Sequence, residues 1–196
     1  MRKRTACVKR KTKETDISIE LNLDGAGDYK VETGISFLNH MLDLFAKNAM
    51  IDLKIKAKGD IDVDYHHTVE DIGLALGEAL DKALGERKGI TRYGWSILPM
   101  DEALAQTAID LGGRPFLVYK LACKKKKIRD FDMSLLEEFF RAMTVQGRLN
   151  LHINQTYGDE AHHAAESVFK AVGRLLKMAV SPDARCKGVP STKGKI

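Results

Sequence analysis

The stretch Asp64–Leu80, DYHHTVEDIGLALGEAL, decides the fold, because the chain answers it at Glu160–Leu176 with EAHHAAESVFKAVGRLL. At an offset of 96 residues, the nineteen residues from His66 and from His162 share seven identities: His66/His162, His67/His163, Glu70/Glu166, Ala75/Ala171, Gly77/Gly173, Leu80/Leu176 and Ala83/Ala179. Two copies, and not a longer array, mean a duplicated unit rather than a solenoid.

The likeness extends upstream. MIDLKIKAKGDIDVDYHH (from Met50) and RLNLHINQTYGDEAHH (from Arg148) each alternate apolar and polar residues before a turn and a helix start. ISFLNHMLDLFAKNA (from Ile35) and DMSLLEEFFRAMTVQ (from Asp132) both carry apolar residues at helical spacing. With further strands in DISIELNLDG and EALAQTAIDLGG, each half reads in outline as strand–strand–helix–strand–strand–helix. Alternation predicts sheets with one wet face, and the helical stripes cover the other. The expected class is α+β: a duplicated βαβ-type half, 1–91 and 92–196, joined through GERKGITRYG (Gly85–Gly94) and packed helix to helix as one compact domain.

The 196 residues suffice for a sizeable core. No apolar run approaches membrane-spanning length, and the basic MRKRTACVKRKTKET is followed by no apolar stretch, so no signal peptide is expected. Cys7, Cys123 and Cys186 are odd in number and form no CxxC, which favours a reducing cytoplasm over a disulfide framework. A net charge of +5 with 7% aromatics suits an anionic small molecule better than nucleic acid, and the run Lys124–Lys127 reads as a solvated loop.

Four of the six histidines form the duplicated pairs. On a helix, residues i and i+4 are neighbours, so His66 with Glu70, and His162 with Glu166, can each grip one ion. His67 and His163 lie about 100° further round. The spacing therefore predicts two related metal sites with exchanged ligands: His67 serves the ion of His162 and Glu166, and His163 the ion of His66 and Glu70. His40 is a candidate additional ligand, with Glu138 its counterpart in the repeat, while His152, in an alternating strand, is structural. Imidazole with carboxylate suits zinc, manganese, iron or nickel; the carboxylate content favours manganese, and no thiolate stands at these positions. Glu14 precedes a strand. Arg92 and Arg114 sit at glycine turns where a planar fork could grip phosphate. Lys170 is four residues beyond Glu166, and PSTKGKI offers hydroxyls and an ammonium on a C-terminal tail that either closes over the phosphate of a substrate or is a disordered end.

These residues resemble the imidazoleglycerol-phosphate dehydratase family over nearly the whole chain. The resemblance rests on TKET, GISFLNHMLDLFAKN, AKGDIDVDYHHTVEDIGLALGEAL, GERKGITRYG, DEALAQTAIDLGGRPF, EEFFRA, HHAAESVFKAVGRLL and PSTKG. It implies helices sandwiched between two four-stranded mixed sheets. It implies a hydro-lyase of histidine biosynthesis that converts D-erythro-imidazole-glycerol phosphate to imidazole-acetol phosphate and water. It also implies two Mn²⁺ per active site at subunit contacts, and trimers assembling into a particle of twenty-four subunits. Metal ligands then fall on His40, His66, His67, Glu70, Glu138, His162, His163 and Glu166. Substrate positions fall on Glu14, the segment from His40 to Asn48, His66, Glu70, Arg92, Arg114, His162, Lys170, Ser191, Thr192 and Lys193. Glu14 is the expected acid or base, with Glu70 and Glu166 able to share proton transfer.

The chain departs from the family's common pattern at Asn39, Leu44 and Tyr65, and at Glu138, where many relatives have histidine. Two other classes use the same residues: a metal-dependent hydrolase, and a non-catalytic module in which metal cements an assembly. Release of phosphate would mark the first, and tight metal binding without turnover the second.

Overall fold

The computed structural model describes residues 3–196. The first half contains β1 (Thr5–Lys11), β2 (Thr15–Asn22), β3 (Tyr29–Glu32), α1 (Ser36–Ala49), β4 (Asp52–Gly59) and α2 (His66–Leu84). The second repeats this order with β5 (Tyr93–Met100), β6 (Ala103–Asp110), β7 (Phe116–Leu121), α3 (Leu135–Gly147), β10 (Asn150–Tyr157) and α4 (Ala161–Val180). A small hairpin, β8 (Lys127–Ile128) and β9 (Phe131–Asp132), is inserted ahead of α3. Three strands of the main sheet thus precede the first helix of each half, with the β8–β9 hairpin added in the second, and one strand separates its helices, which corrects the outline expected from the sequence. The extra strand, β3 or β7, runs parallel to the strand that follows the helix, closing a βαβ unit.

The sheets have the matching orders β1-β2-β4-β3 and β5-β6-β10-β7. Alternation makes them two-faced. In β2, Thr15, Ile17, Ile19 and Leu21 are buried, and in β6 Ala103, Ala105, Thr107 and Ile109 are. The helices fill the space between the sheets and pair across the halves, α2 on α3 and α1 on α4. The repeated glycines make this approach possible. A Cβ at Gly77 would stand 2.4 Å from the Met143 carbonyl oxygen, and one at Gly173 2.6 Å from that of Phe45. Either substitution would drive paired helices apart.

The connection between the halves is anchored by a buried cation. Arg87, 1% exposed, donates from Nη1 to the carbonyls of Leu111 (3.0 Å) and Arg148 (2.9 Å). Its Nη2 donates to Asp81 (2.6 Å) and to the Gly147 carbonyl (2.8 Å). One guanidinium therefore ties α2, the end of α3 and the end of β6 together. No helix among the described residues is long and apolar enough to cross a membrane.

Candidate active site

Both duplicated helix starts are built alike. Asp64 Oδ1 accepts the His66 backbone N–H at 2.8 Å, and Glu160 Oε1 accepts that of His162 at 3.2 Å. An acid two residues ahead thus satisfies one of the orphan donors of each first turn. The adjacent rings then stand apart. His66 and His67 have centroids 6.2 Å apart at 88°, and His162 and His163 have theirs 6.3 Å apart at 87°.

One centre closes across the halves. His40 Nε2, from α1, lies 2.9 Å from Glu166 Oε1, and His162 Nε2 lies 3.0 Å from the same oxygen. Lys170 pairs with the other carboxylate oxygen, Oε2, and also reaches Met100 Sδ at 3.2 Å. Burial works to raise the Glu166 carboxyl, but hydrogen bonds from Lys170, His40 and His162 outweigh it and bring the pKa down to about 2. The group is a carboxylate at neutral pH.

The donor atoms of His40, His162 and Glu166 all lie within 4.8 Å of one another. Two imidazoles and a carboxylate are a donor set for borderline divalent metals. Donors about 3 Å apart suit an ion bound at roughly 2.0–2.2 Å. The residues fit such an ion on Oε1, with Lys170 left on Oε2.

The counterpart in the repeat is less closed. His66 Nε2 lies 3.6 Å from Glu70 Oε2, while Glu138 Oε2 lies 3.9 Å from Arg141 Nε. Among the described residues, no cluster of three potential ligands forms around His66. Two expectations change accordingly. Within one chain His40 joins His162 and Glu166 directly, rather than adding to an exchanged set. The exchange of His67 and His163 does not form within one chain, because α2 packs on α3 and α4 on α1. Each of these histidines faces a carboxylate of its own half. His67 Nδ1 lies 3.0 Å from Asp60 Oδ2 and 3.8 Å from Glu14 Oε2. His163 Nδ1 lies 2.8 Å from Glu102 Oε2. The Asp60 hydrogen bond raises the His67 pKa, the Glu102 bond raises that of His163, and the His163 bond lowers that of Glu102.

Glu14 reaches His67 because its hairpin is tied to α2. Asp71, one turn beyond His67, accepts from Arg10 Nε at 2.8 Å and from the Thr15 hydroxyl. Thr12 Oγ1 accepts the backbone N–H groups of Glu14 (3.1 Å) and Thr15 (2.9 Å), which shapes the turn.

The cationic residues at the glycine turns meet the C-terminal segment. Arg92, Arg114, Ser191, Thr192 and Lys193 line one hollow of about 790 Å³. Arg92 is not a free fork. Its Nε and Nη2 donate to Asp110 at 2.6 and 3.0 Å, and its Nη1 donates to the Pro190 carbonyl at 2.6 Å. It anchors the C-terminal segment instead. Arg114 is exposed and has no hydrogen-bond or ion-pair partner among the described residues. Lys170 lies outside this hollow, on Glu166. Asn48 donates to the Leu44 carbonyl of its own helix at 2.9 Å. His152 is exposed on β10, its ring centroid 6.4 Å from that of Phe116.

The departures from the common pattern have local accounts. Asn39 Oδ1 accepts the Thr33 N–H (3.0 Å) and hydroxyl (2.6 Å), fixing the entry to α1. Leu44 packs on the core. Tyr65 donates to Asp130 Oδ2 at 2.5 Å and lines both the hollow at His66 and the one at His40 and His162. The β8–β9 hairpin, which supplies Asp130 in its turn, borders both hollows.

Fold and site together define an enzyme of the duplicated α+β class, with an imidazole–carboxylate centre and a cationic hollow. The sequence model of imidazoleglycerol-phosphate dehydratase matches residues 33–176. The chain is 52% identical over 193 residues to the imidazoleglycerol-phosphate dehydratase of Geobacter metallireducens, covering 98% of this chain and 99% of that one. It is 53% identical to that of an Exiguobacterium species, covering 98% of each. The Staphylococcus aureus enzyme superposes with a TM-score of 0.80 at 38% identity, covering 90% of this chain and 99% of that one. The Pyrococcus furiosus IGPD superposes at 0.84 with 36% identity, covering 96% and 100%. The chain belongs to the imidazoleglycerol-phosphate dehydratase family, whose members are hydro-lyases.

Proposed function

We propose that this chain converts D-erythro-imidazole-glycerol phosphate to imidazole-acetol phosphate and water in the cytoplasm, as a step of histidine biosynthesis. The observation that carries the reading is the meeting of His40, His162 and Glu166, drawn from both halves, in a chain of this family. These three would hold one divalent ion, with Mn²⁺ the proposed metal. His66, Glu70 and Glu138 supply ligands for a second, and His67 and His163 complete the set from neighbouring copies. Bound metal would draw charge from the substrate's imidazole nitrogens and so acidify the adjacent carbon–hydrogen bond.

The chain's own residues divide the remaining work. Glu14 moves the proton at the glycerol chain, with Glu70 and Glu166 as the other carboxylates in reach of the histidines. Lys170 holds Glu166 in one orientation. Arg114, Ser191, Thr192 and Lys193 take the phosphate, in a hollow that Arg92 keeps in shape. On one chain this hollow shares no lining residue with those at the histidines. That separation supports a site completed between copies, in trimers that build a larger homo-oligomer.

The decisive experiment incubates the protein with the substrate and Mn²⁺, follows the ketone product, and repeats both assay and sizing after chelation. Turnover should require the metal, and chelation should dissolve the large assembly, since metal binding is linked to association. Phosphate release, or metal binding with no turnover, would overturn the reading. Arg114→Ala should raise KM by about 10–100-fold with kcat little changed, because a charged hydrogen bond to an unreacting group contributes roughly 1.5–3 kcal/mol to binding. Steady-state kinetics checks this; an equal fall in kcat would place Arg114 at the reacting atoms instead.

A further inference from the structure

The two halves hold their second histidines differently, although the surrounding elements correspond. Glu14 stands at the β1–β2 turn and Glu102 at the β5–β6 turn, each one residue before the second strand of its hairpin. Asp60 and Asp159 likewise correspond, each following the glycine, Gly59 or Gly158, that precedes its motif helix. In the second half the hairpin acid takes the histidine: Glu102 Oε2 lies 2.8 Å from His163 Nδ1, and the Asp159 side chain is exposed. In the first half the loop acid takes it: Asp60 Oδ2 lies 3.0 Å from His67 Nδ1, and Glu14 is left at 3.8 Å.

The glycines account for the difference. A Cβ on Gly59 would stand 2.0 Å from Thr68 Oγ1, so this backbone lies directly against the first turn of α2 and delivers Asp60 to the residue beside Thr68. A Cβ on Gly158 would stand 2.5 Å from the Ala103 Cα, so that backbone lies against the β5–β6 hairpin of its own half, next to Glu102.

We propose that Asp60 and Glu102 are the positioning carboxylates of His67 and His163, and that Asp60, by taking this task in the first half, leaves Glu14 free to act on substrate. An ionised carboxylate only accepts hydrogen bonds, so each imidazole, when neutral, carries its proton on Nδ1 and presents Nε2 as a lone pair; on His163 that nitrogen lies 3.7 Å from Asp101 Oδ2. This is the arrangement in which a metal-ligating histidine is oriented by an outer carboxylate. Glu102 is spent on the same task that its counterpart Glu14 escapes. The duplication therefore yields one committed acid and one available acid from a single ancestral position in the repeat. The part concerning Glu14 rests on the dehydratase reading; the positioning of the two imidazoles does not.

The test uses the full-length protein, metal-free, with ¹⁵N-labelled histidine, and reads ring tautomers from long-range ¹H–¹⁵N correlations at a pH high enough that both rings are neutral. His67 and His163 should both be Nδ1–H. Glu14→Gln should leave His67 unchanged, whereas Glu102→Ala should by itself move His163 toward Nε2–H. The pair Asp60→Ala with Glu14→Gln should move His67 toward Nε2–H and weaken Mn²⁺ binding, titrated calorimetrically, by about 10–100-fold relative to Glu14→Gln alone. A wild-type His67 protonated on Nε2, or a Glu14→Gln variant that alone shifts it, would overturn the assignment. Neither outcome depends on turnover, so an inactive wild-type protein would sink the dehydratase reading while leaving this one to be judged on its own spectra.

Discussion

Glu14→Gln should lower kcat by about 10²–10⁴-fold, the range expected when a positioned acid or base is removed. Metal content and assembly size should stay as in the unaltered protein. The side chain is 54% exposed, and its ion-pair contact is the 3.8 Å approach to His67, so little of the fold depends on it. The turn that carries it is held by Thr12, Thr15 and Asp71, none of which the substitution touches. A fall confined to KM, or normal turnover, would end the catalytic assignment. Steady-state kinetics, metal analysis and sizing on one preparation decide the matter.

Arg87→Ala should be the most damaging single change to stability, costing about 3–5 kcal/mol, as when one partner of a buried charged pair is deleted. Three backbone carbonyls lose their donor together, while Asp81 is left with Arg148, at 3.1 Å. An unsatisfied buried acceptor costs roughly 1–3 kcal/mol by itself. Chemical denaturation of the metal-free protein measures the loss; a change below about 1 kcal/mol would show that the connection does not hold the halves as described.

The sequence made the duplication legible because the repeated residues are chemically unusual. Two His-His-x-x-Glu helix starts and the glycines of the helix crossings recur at one spacing. The central strands β2, β4, β6 and β10 were legible too, since each buries alternate residues. The edge strands were harder to see. In β1, TACVKRK, Val8 alone is fully buried, and β3 is four residues long with one half-buried valine. An edge strand packs little, so its alternation is weak. The β8–β9 hairpin sat partly within a lysine run that reads as solvated loop.

At the site, Lys170 on Glu166 followed from helical spacing, whereas the meeting of His40 with Glu166, 126 residues apart, needed tertiary packing. Arg92 looked like a phosphate fork because its partner Asp110 stands on a different strand. Asp60 and Glu102 gave no signal at all. They are two acids among 27, selected by where Gly59 and Gly158 press the backbone.

The crosswise pairing of helices, α1 with α4 and α2 with α3, has the contact pattern of an isologous dimer whose two partners happen to share a backbone. Two separate half-chains meeting in this way would assemble in proportion to their concentration and come apart on dilution. Joining them through the short segment between Leu84 and Tyr93 replaces that dependence with a fixed effective concentration, of millimolar order for short flexible tethers. His40 and Glu166 therefore stay together however dilute the protein becomes. The fusion also gives each half its own copy of every residue, so Glu14 and Glu102 were free to become different.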